Sequence, residues 1–355
     1  VYYQIQISMY IQMIFNALSI SFSATYSSIM LEEGTASYLI LVPNSPTSDS
    51  IDQEIDFLPD RLVRAGKAKQ RTDEMAKHLW EHGDNHEQAV ASKLRSCNTY
   101  RVFRHRLETG AARLIAAYCC GQDRLCPVCA NLRAGRMASK YETRILSVLA
   151  DQPKLSEWLW TFTVKDGPDL TERLLRLRTS MEKMQRQARN FRNGQRRDKW
   201  FPFCTVAGGV YSIEVIIGKN SGQWHPHVHV YALCDADPPV VGTRCPEMEA
   251  WWLDRTGDSF VVDVRPINSA ERGNAVIEVL KYTTKFSNMS LEQNLHAWRT
   301  LQGQRLRSAF GCLYGVPGIK RLTDDLSTDE GAYIDMAFRH NGTEYVRDLS
   351  GECVA

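Results

Sequence analysis

The chain has 355 residues, 43% of them hydrophobic, with a formal net charge of +2 and no long compositional bias. It can therefore bury the core of one large or two modest domains, which excludes a low-complexity chain. The charge is unevenly spread, because the first 60 residues hold seven acids and no Lys or Arg. The remainder contains 43 basic and 34 acidic residues, which gives it a formal net charge of +9. Such a basic body indicates a polyanionic partner.

The first 22 residues are fairly apolar, but Gln, Ser and Asn interrupt them and no cationic residue precedes them. They fit neither a membrane span nor a secretory signal, so we expect no membrane association. The ten cysteines then indicate a reducing cytoplasm, where clustered thiols bind metal more often than they form disulfides. We expect residues 1–55 to be an acidic and apolar lead outside the functional core, with a true start at Met30 or later as one explanation of the initial Val.

Hydrophobic periodicity, β-branched runs and turn residues predict the elements that follow. The predicted helices are 61–95, 130–149, 170–193, 246–253, 270–286 and 291–301. The predicted strands are 100–106, 111–118, 157–164, 206–217, 225–234 and 259–264. The two strands on either side of the glycine-bounded loop 218–222 are predicted to form an antiparallel hairpin.

Three histidines alternate along the predicted strand 225–234. Side chains in a strand alternate between its two faces, so His225, His227 and His229 share one face. Glu214 lies on the partner strand of the hairpin, and its carboxylate with two imidazoles makes a site for Mg²⁺ or Mn²⁺ that leaves open positions. The alternative for Glu214 is a surface salt bridge. For His225, metal binding, ligand contact and packing all stay open.

A second group of functional side chains is predicted on helix 270–286, where Glu278, Tyr282 and Lys285 share one face. A phenol is a poor nucleophile because its free pKa is near ~10, so it needs a metal-polarised phosphorus and a nearby cation. Lys285 is suited to stabilise the phenolate or to contact phosphate, and Glu278 to take a proton from water or from a 3′-hydroxyl. A metal ion facing this tyrosine would allow the phenol to attack a phosphodiester.

The predicted helix 170–193 carries an apolar stripe on one side and arginines on its other faces. The stripe is typical of core packing. The arginines have two interpretations, a solvated face or contacts with nucleic-acid phosphates. The candidate DNA-binding residues are Arg186, Arg189, Arg192, Arg196, Arg197 and, on the later helix, Lys281.

A cluster of cysteines precedes the predicted helix 130–149, and its Cys-x-x-Cys unit follows a Cys pair at knuckle-like spacing. We expect a structural Zn²⁺ ion here, with buried free thiols as the alternative. One member of the Cys pair is the third ligand. The fourth is the other member of the pair, Cys97 or His105. The candidate zinc ligands are Cys119, Cys120, Cys126 and Cys129.

These motifs together resemble a known family. His227-Val-His229 is similar to the His-hydrophobic-His motif of the HUH endonucleases. The segments W-H-P-H-V-H-V (224–230) and E-V-L-K-Y-T-T-K (278–285) resemble the replication initiators of rolling-circle plasmids, in the single-tyrosine group with a glutamate four residues before the tyrosine. Further segments resemble family motifs in the family's order: 126–129, 157–164 and 305–311. The resemblance covers about residues 97–315.

The resemblance implies an α+β fold with a central antiparallel β-sheet flanked by helices. It implies an HUH nickase domain at 151–315, after a helical, Cys-rich N-terminal region at 56–150 and before a C-terminal tail at 316–355. Tyr282 would attack single-stranded or cruciform plasmid origin DNA, leaving a 5′-phosphotyrosine and a 3′-hydroxyl primer. Glu278 would activate water at termination. A host helicase and a DNA polymerase are partners expected from the family alone.

Three other functions compete with this hypothesis. A histidine-triad nucleotide hydrolase would use the middle histidine of His-x-His-x-His as its nucleophile, but it leaves Glu278, Tyr282 and Lys285 unexplained. A non-catalytic DNA-binding protein gives the aligned histidines no purpose. A transposase or relaxase of the HUH type shares the chemistry, and a second tyrosine one turn from Tyr282 would favour it, but none is present.

Overall fold

The computed structural model describes most of the chain beyond residue 56. The described residues are 26–27, 42–43, 57–106, 110, 112–195, 199–280, 289–315 and 333–348. The chain divides into two compact units, Val1–Asp56 and Phe57–Ala355. In the first unit, Tyr26–Ser27 pairs antiparallel with Val42–Pro43. All elements labelled below belong to the second unit.

The described part of the second unit is a mixture of α-helices and two antiparallel sheets, which confirms the predicted α+β class. The helices are α1 (Phe57–His82), α2 (Asn85–Ser96), α3 (Pro127–Asp151), α4 (Leu170–Arg192), α5 (Pro246–Thr256), α6 (Arg272–Leu280) and α7 (Leu291–Thr300). The strands are β1 (Tyr100–Arg106), β2 (Ala112–Ala117), β3 (Ser156–Thr163), β4 (Val206–Ile217), β5 (Trp224–Cys234), β6 (Val262–Pro266), β7 (Arg307–Gly311), β8 (Tyr333–His340) and β9 (Tyr345–Asp348).

The predicted helix 61–95 is in fact two helices, because a capping box starts a new helix at Asp84. The Asp84 side chain accepts from the Glu87 backbone N–H at 2.8 Å, and the Glu87 side chain accepts from the Asp84 N–H at 3.0 Å. These reciprocal bonds satisfy two amide donors that a helix start leaves without partners. The Asp-x-x-Glu spacing was the sequence signal for this boundary.

The central sheet has the strand order β6-β3-β5-β4-β7, and every neighbouring pair is antiparallel. Strand β5 lies in the middle, and it is rich in the aromatic and β-branched residues that favour strands. Strands β4 and β5 form the predicted hairpin, with Glu214 directly opposite His227 and Ser212 opposite His229. This register places the carboxylate and the imidazoles on the same face of the sheet.

The two faces of this sheet are covered by different helices. Val228 and Val230 of β5 pack with the apolar stripe of α4, as predicted for that helix. Tyr231 and Leu233, which point the opposite way, pack with buried residues of α3 and α6. Along β5 the three histidines follow the same alternation as Tyr231 and Leu233. They therefore lie on the sheet face that α3 and α6 cover.

The second sheet, with the order β9-β8-β1-β2, joins distant parts of the chain. Strands β1 and β2 lie where the sequence predicts them. Strands β8 and β9 come from the segment predicted as a C-terminal tail. Strand β8 pairs with every residue of β1. Phe103 and Phe338 pack edge to face, with ring centroids 5.9 Å apart, and Tyr345 donates to the Asn98 carbonyl at 2.7 Å. The last described strands therefore complete a sheet that begins with β1, near the start of the second unit.

Candidate active site

Glu214, His227 and His229 converge on the β4–β5 hairpin, as their predicted register requires. One ligand atom from each lies within 4.8 Å of the other two. Glu214 Oε2 is 2.8 Å from His227 Nε2 and 3.5 Å from His229 Nε2. Both imidazoles thus direct a nitrogen at one carboxylate oxygen, which is the arrangement that a shared cation requires.

The charge states of this group favour metal binding. Burial raises the pKa of Glu214, but hydrogen bonds and charge from His227 and His229 outweigh it and lower the pKa to about 2. Burial lowers the pKa of His227 from its ordinary value. At neutral pH the carboxylate is ionised and His227 is neutral, and these are the forms that bind metal.

The donor set fits a divalent cation such as Mg²⁺ or Mn²⁺. A carboxylate and two imidazoles are a mixed oxygen and nitrogen set, and three protein ligands leave positions for water or phosphate oxygens. His227 Nδ1 is also buried without a hydrogen-bond partner among the described residues. The protein therefore does not fully satisfy this imidazole by itself.

Thr161 of β3 fixes the orientation of His229, and sequence reasoning did not identify it. Its Oγ1 lies 2.9 Å from His229 Nδ1, because β3 pairs with β5 so that these two residues are opposite. In the tautomer whose Nδ1–H donates to Thr161, His229 Nε2 keeps its lone pair for a metal. The only sequence signal was the position of Thr161 on a strand predicted to enter the same sheet.

His225 lies outside the three-residue group. Its Nδ1 is 2.5 Å from Asp166 Oδ1, and Asp166 also accepts a hydrogen bond from Ser221. The candidate metal-binding group formed by the described residues contains His227 and His229 but not His225. His225 therefore belongs to a separate polar group at the turn of the hairpin.

Helix α6 is held on the histidine face of the sheet at both of its ends. At its start, Arg272 forms two hydrogen bonds of 2.7 and 2.6 Å with the buried carboxylate of Glu157, which also accepts from Tyr231. At its end, the Ser212 hydroxyl donates to the Val279 carbonyl. Because Ser212 pairs with His229, the C-terminal end of α6 lies beside the candidate metal ligands.

Glu278 is exposed near this end of α6, while its neighbours Val279 and Leu280 are buried. The predicted nucleophile Tyr282 follows two residues after the last residue of α6. Tyr282 lies outside the described residues, together with Lys281 and Lys285. Their roles stay predictions.

The arginines of α4 do not line the histidine site, because α4 covers the opposite face of the sheet. Arg186 and Arg189 are exposed on this helix. Arg192 forms an ion pair with Asp235 at 2.9 Å. Arg196 and Arg197 lie outside the described residues. Binding of DNA by these residues stays a prediction.

The cysteine cluster upstream of the central sheet contains Cys97, Cys120, Cys126 and Cys129. Cys119, one of the four predicted ligands, is exposed and lies outside this group, and so does His105. Cys97 takes the fourth position because it ends α2 and turns its thiol inward. Local spacing favoured the adjacent Cys pair, whereas the fold brings in a thiol from more than twenty residues upstream.

Among the described residues, no helix combines the length and apolar character needed to cross a bilayer.

The fold and the site thus define an α+β protein with a candidate metal site on a central β-hairpin. The chain is 25% identical over 216 residues to "Protein rep" of Streptococcus pneumoniae serotype 2 (strain D39 / NCTC 7466), covering 58% of this chain and 63% of that protein. It is 28% identical over 145 residues to "Protein rep" of a Bacillus species, covering 39% of this chain and 42% of that protein. The chain therefore spans less than two thirds of the length of either relative. No protein-family model and no solved structure matches the chain.

Proposed function

We propose that this protein initiates rolling-circle plasmid replication by nicking origin DNA with a tyrosine nucleophile and a divalent metal. The observation that carries the proposal is the convergence of Glu214, His227 and His229 on the sheet face where α6 is anchored. The likeness to two proteins named "Protein rep" supports the same function. We also propose that it acts in the cytoplasm, without a membrane partner.

In this proposal Glu214, His227 and His229 hold Mg²⁺ or Mn²⁺, which supplies Lewis-acid polarisation of the scissile phosphate. The Tyr282 oxygen forms a bond to phosphorus as the bond from phosphorus to the 3′-oxygen breaks. The products are a 5′-phosphotyrosine and a 3′-hydroxyl that primes synthesis. The Lys285 cation stabilises the phenolate of Tyr282, so a larger fraction of this side chain is ionised at neutral pH.

Glu278 has the proposed role of general base at termination. Its exposed position on α6 leaves it open to water and to a second DNA strand. By taking a proton from water, Glu278 lets the protein dissociate from the DNA at termination and not form a second covalent bond to it.

The proposed DNA contacts divide between two faces of the protein. Lys281 follows α6, whereas the arginines of α4 lie on the far face and would contact DNA that flanks the nicked site. Of the α4 residues, Arg186 and Arg189 are the better candidates, because Arg192 already pairs with Asp235. The remaining candidates are Arg196 and Arg197. A helicase and a polymerase of the host are the proposed protein partners.

The test is formation of a covalent adduct. The full chain is incubated with Mn²⁺ and a labelled single-stranded oligonucleotide from its plasmid's replication origin, and the products are separated by denaturing electrophoresis. We expect a labelled protein band that disappears in Tyr282→Phe. The matched control is Tyr314→Phe, since Tyr314 is exposed and distant in sequence from the motif.

Three outcomes would contradict the proposal. An adduct at normal yield in Tyr282→Phe would exclude this nucleophile. Nucleotide hydrolysis that persists in chelator and in the absence of an adduct would favour the histidine-triad alternative. An adduct with sequences other than the plasmid origin, at transposon ends or transfer origins, would instead indicate the transposase or relaxase alternative.

A further inference from the structure

We propose that Cys97, Cys120, Cys126 and Cys129 bind one structural Zn²⁺ ion that holds the loop 119–126 against the edge of the central sheet. This inference goes beyond the proposed nicking function and uses none of its residues. It assigns Cys97 as a ligand and leaves the exposed Cys119 outside the site.

The spacing of the four sulfur atoms matches a tetrahedral zinc–thiolate site. Tetrahedral Zn²⁺ with Zn–S bonds of about 2.3 Å separates its sulfurs by roughly 3.8 Å. Cys97 Sγ lies 3.6 Å from Cys126 Sγ and 3.5 Å from Cys129 Sγ, and Cys120 Sγ lies 3.6 Å from Cys129 Sγ. These distances are far longer than the ~2.05 Å of a disulfide bond, so the four sulfurs are not paired covalently.

Backbone and side-chain donors surround the sulfurs as they do in zinc–thiolate sites. The backbone N–H of Cys120 donates to Cys97 Sγ at 3.4 Å, and the N–H of Cys129 donates to Cys126 Sγ at 3.4 Å. The Asn98 amide also donates to Cys97 Sγ at 3.5 Å. Such hydrogen bonds stabilise thiolate charge and orient the ligands.

The four ligands come from three separate parts of the chain. Cys97 ends α2, Cys120 follows β2, and Cys126 and Cys129 start α3. Three of them are fully or almost fully buried in an apolar cluster with residues of α1, α2 and α7. An ion here would add a fixed link between α2, β2 and α3 to the packing and the hydrogen bonds that already join them.

The loop between the ligands also contacts the edge of the central sheet. Asp123 accepts from Arg307 of β7 at 3.1 Å, and the Arg307 side chain is only 8% exposed. Arg124 donates to the Gln304 carbonyl at 2.6 Å and to the Leu301 carbonyl. Strand β7 pairs with β4, the strand that carries Glu214. The zinc site would therefore hold a loop that supports the edge strand beside the candidate active site.

The first test is the metal content of the purified full chain, measured by plasma mass spectrometry together with titration of reactive thiols. We expect one Zn²⁺ per chain, a near-complete loss of zinc in Cys97→Ser, and full retention in the matched control Cys119→Ser. A His227→Ala, His229→Ala double variant should also keep its zinc, which separates this ion from the metal of the proposed nicking site. Substitution with Co²⁺ should give the absorption bands of a tetrahedral thiolate complex.

The second test uses hydrogen exchange of the intact protein before and after zinc removal. We expect faster exchange in residues 119–129 and also in the edge strand 307–311. The site would be overturned by a folded chain that carries no metal and whose four cluster thiols react as freely as the exposed Cys119 thiol. Loss of zinc in Cys119→Ser with retention in Cys97→Ser would overturn the ligand set. Unchanged exchange in 307–311 after zinc loss would overturn the supporting role.

Discussion

At the scale of single residues, the candidate site depends on one carboxylate oxygen that two imidazoles share. Glu214 and His227 come together because β4 and β5 are paired in register across a short turn. His229 needs a third strand, since Thr161 of β3 contacts its other ring nitrogen. Thr161 is therefore a candidate positioning residue, which would act on a bound metal through His229 and not by direct contact.

Replacing Thr161 should weaken metal binding without unfolding the sheet. Thr161→Val keeps the branched shape but removes the oxygen, so we expect about a tenfold loss in Mn²⁺ affinity. The measurement is Mn²⁺ titration followed by electron paramagnetic resonance. The matched control is Thr163→Val on the same strand, since Thr163 lies opposite His227 but its hydroxyl hydrogen-bonds to Ser259 and not to an imidazole nitrogen. Equal affinities in the two variants would rule out the positioning role.

The stability of the metal-free protein should fall as the pH decreases. Burial lowers the pKa of His227 below its ordinary value of 6.5, so below that pH the unfolded chain binds more protons than the native chain. We expect the free energy of unfolding to decrease by at most about 1.4 kcal/mol per pH unit. The pKa of Glu214 is lowered from 4.5 to about 2. Its contribution to the free energy of unfolding is therefore lost only as the pH falls from 4.5 to about 2.

This pH dependence is measured by urea unfolding in chelator from pH 7 to pH 5, for the native chain and for His227→Gln. The variant should show a smaller slope over this range. An unchanged slope would show that His227 does not titrate with unfolding.

The sequence predicted the site residues that lie near one another in the chain. Alternation on a strand and a short turn were enough to group Glu214, His227 and His229. Thr161 and Cys97 were harder, because their positions depend on strand pairing and helix packing over long separations. For Cys119, local spacing favoured a thiol that the fold leaves exposed.

At the scale of elements, α6 leads from the sheet face that carries the candidate metal ligands to the segment that contains Tyr282. Its two anchors differ in kind. The start is held by an ion pair between Arg272 and Glu157 with side-chain exposures of 15% and 8%, and the end by a hydrogen bond from Ser212 to the Val279 carbonyl. Together these two contacts hold both ends of α6 against the sheet.

Breaking this ion pair should be costly. Arg272→Met leaves the Glu157 carboxylate buried without its cation, so we expect a loss of about 3 kcal/mol in the free energy of unfolding. The matched control is Arg265→Met, where an exposed arginine pairs with Asp263 on the sheet surface and the expected loss is under about 1 kcal/mol. Urea unfolding of both variants makes the comparison. Similar losses in the two would show that Arg272 does not anchor α6.

Most elements could be predicted from the sequence, and the exceptions share a physical cause. Strand β4 was predicted at 206–217 and is found at Val206–Ile217, because it is rich in β-branched residues and lies between Pro202 and Gly218. Strands β7, β8 and β9 were not predicted. They are short or alternate irregularly, and they become strands through pairing with β4 and β1 far along the chain.

At the scale of the whole molecule, the described part of the second unit is joined by pairs of residues that are distant in sequence. Arg299 of α7 donates to Glu87 of α2 at 2.7 and 2.8 Å, and the Glu87 pKa is lowered mainly by this hydrogen bond. Arg104 of β1 pairs with Asp335 of β8. Charged pairs therefore join the helical, cysteine-bearing region to α7 and to strand β8, both of which lie far along the chain.

The pairing of β1 with β8 has a consequence for the chain during its synthesis. A ribosome makes residues 333–340 more than two hundred residues after β1. Until they emerge, one edge of β1 stays open, and Phe103 lacks its contact with Phe338. An open strand edge is a template for aggregation. A prematurely terminated translation product would keep that edge, so cellular chaperones and proteases could distinguish it from the finished protein.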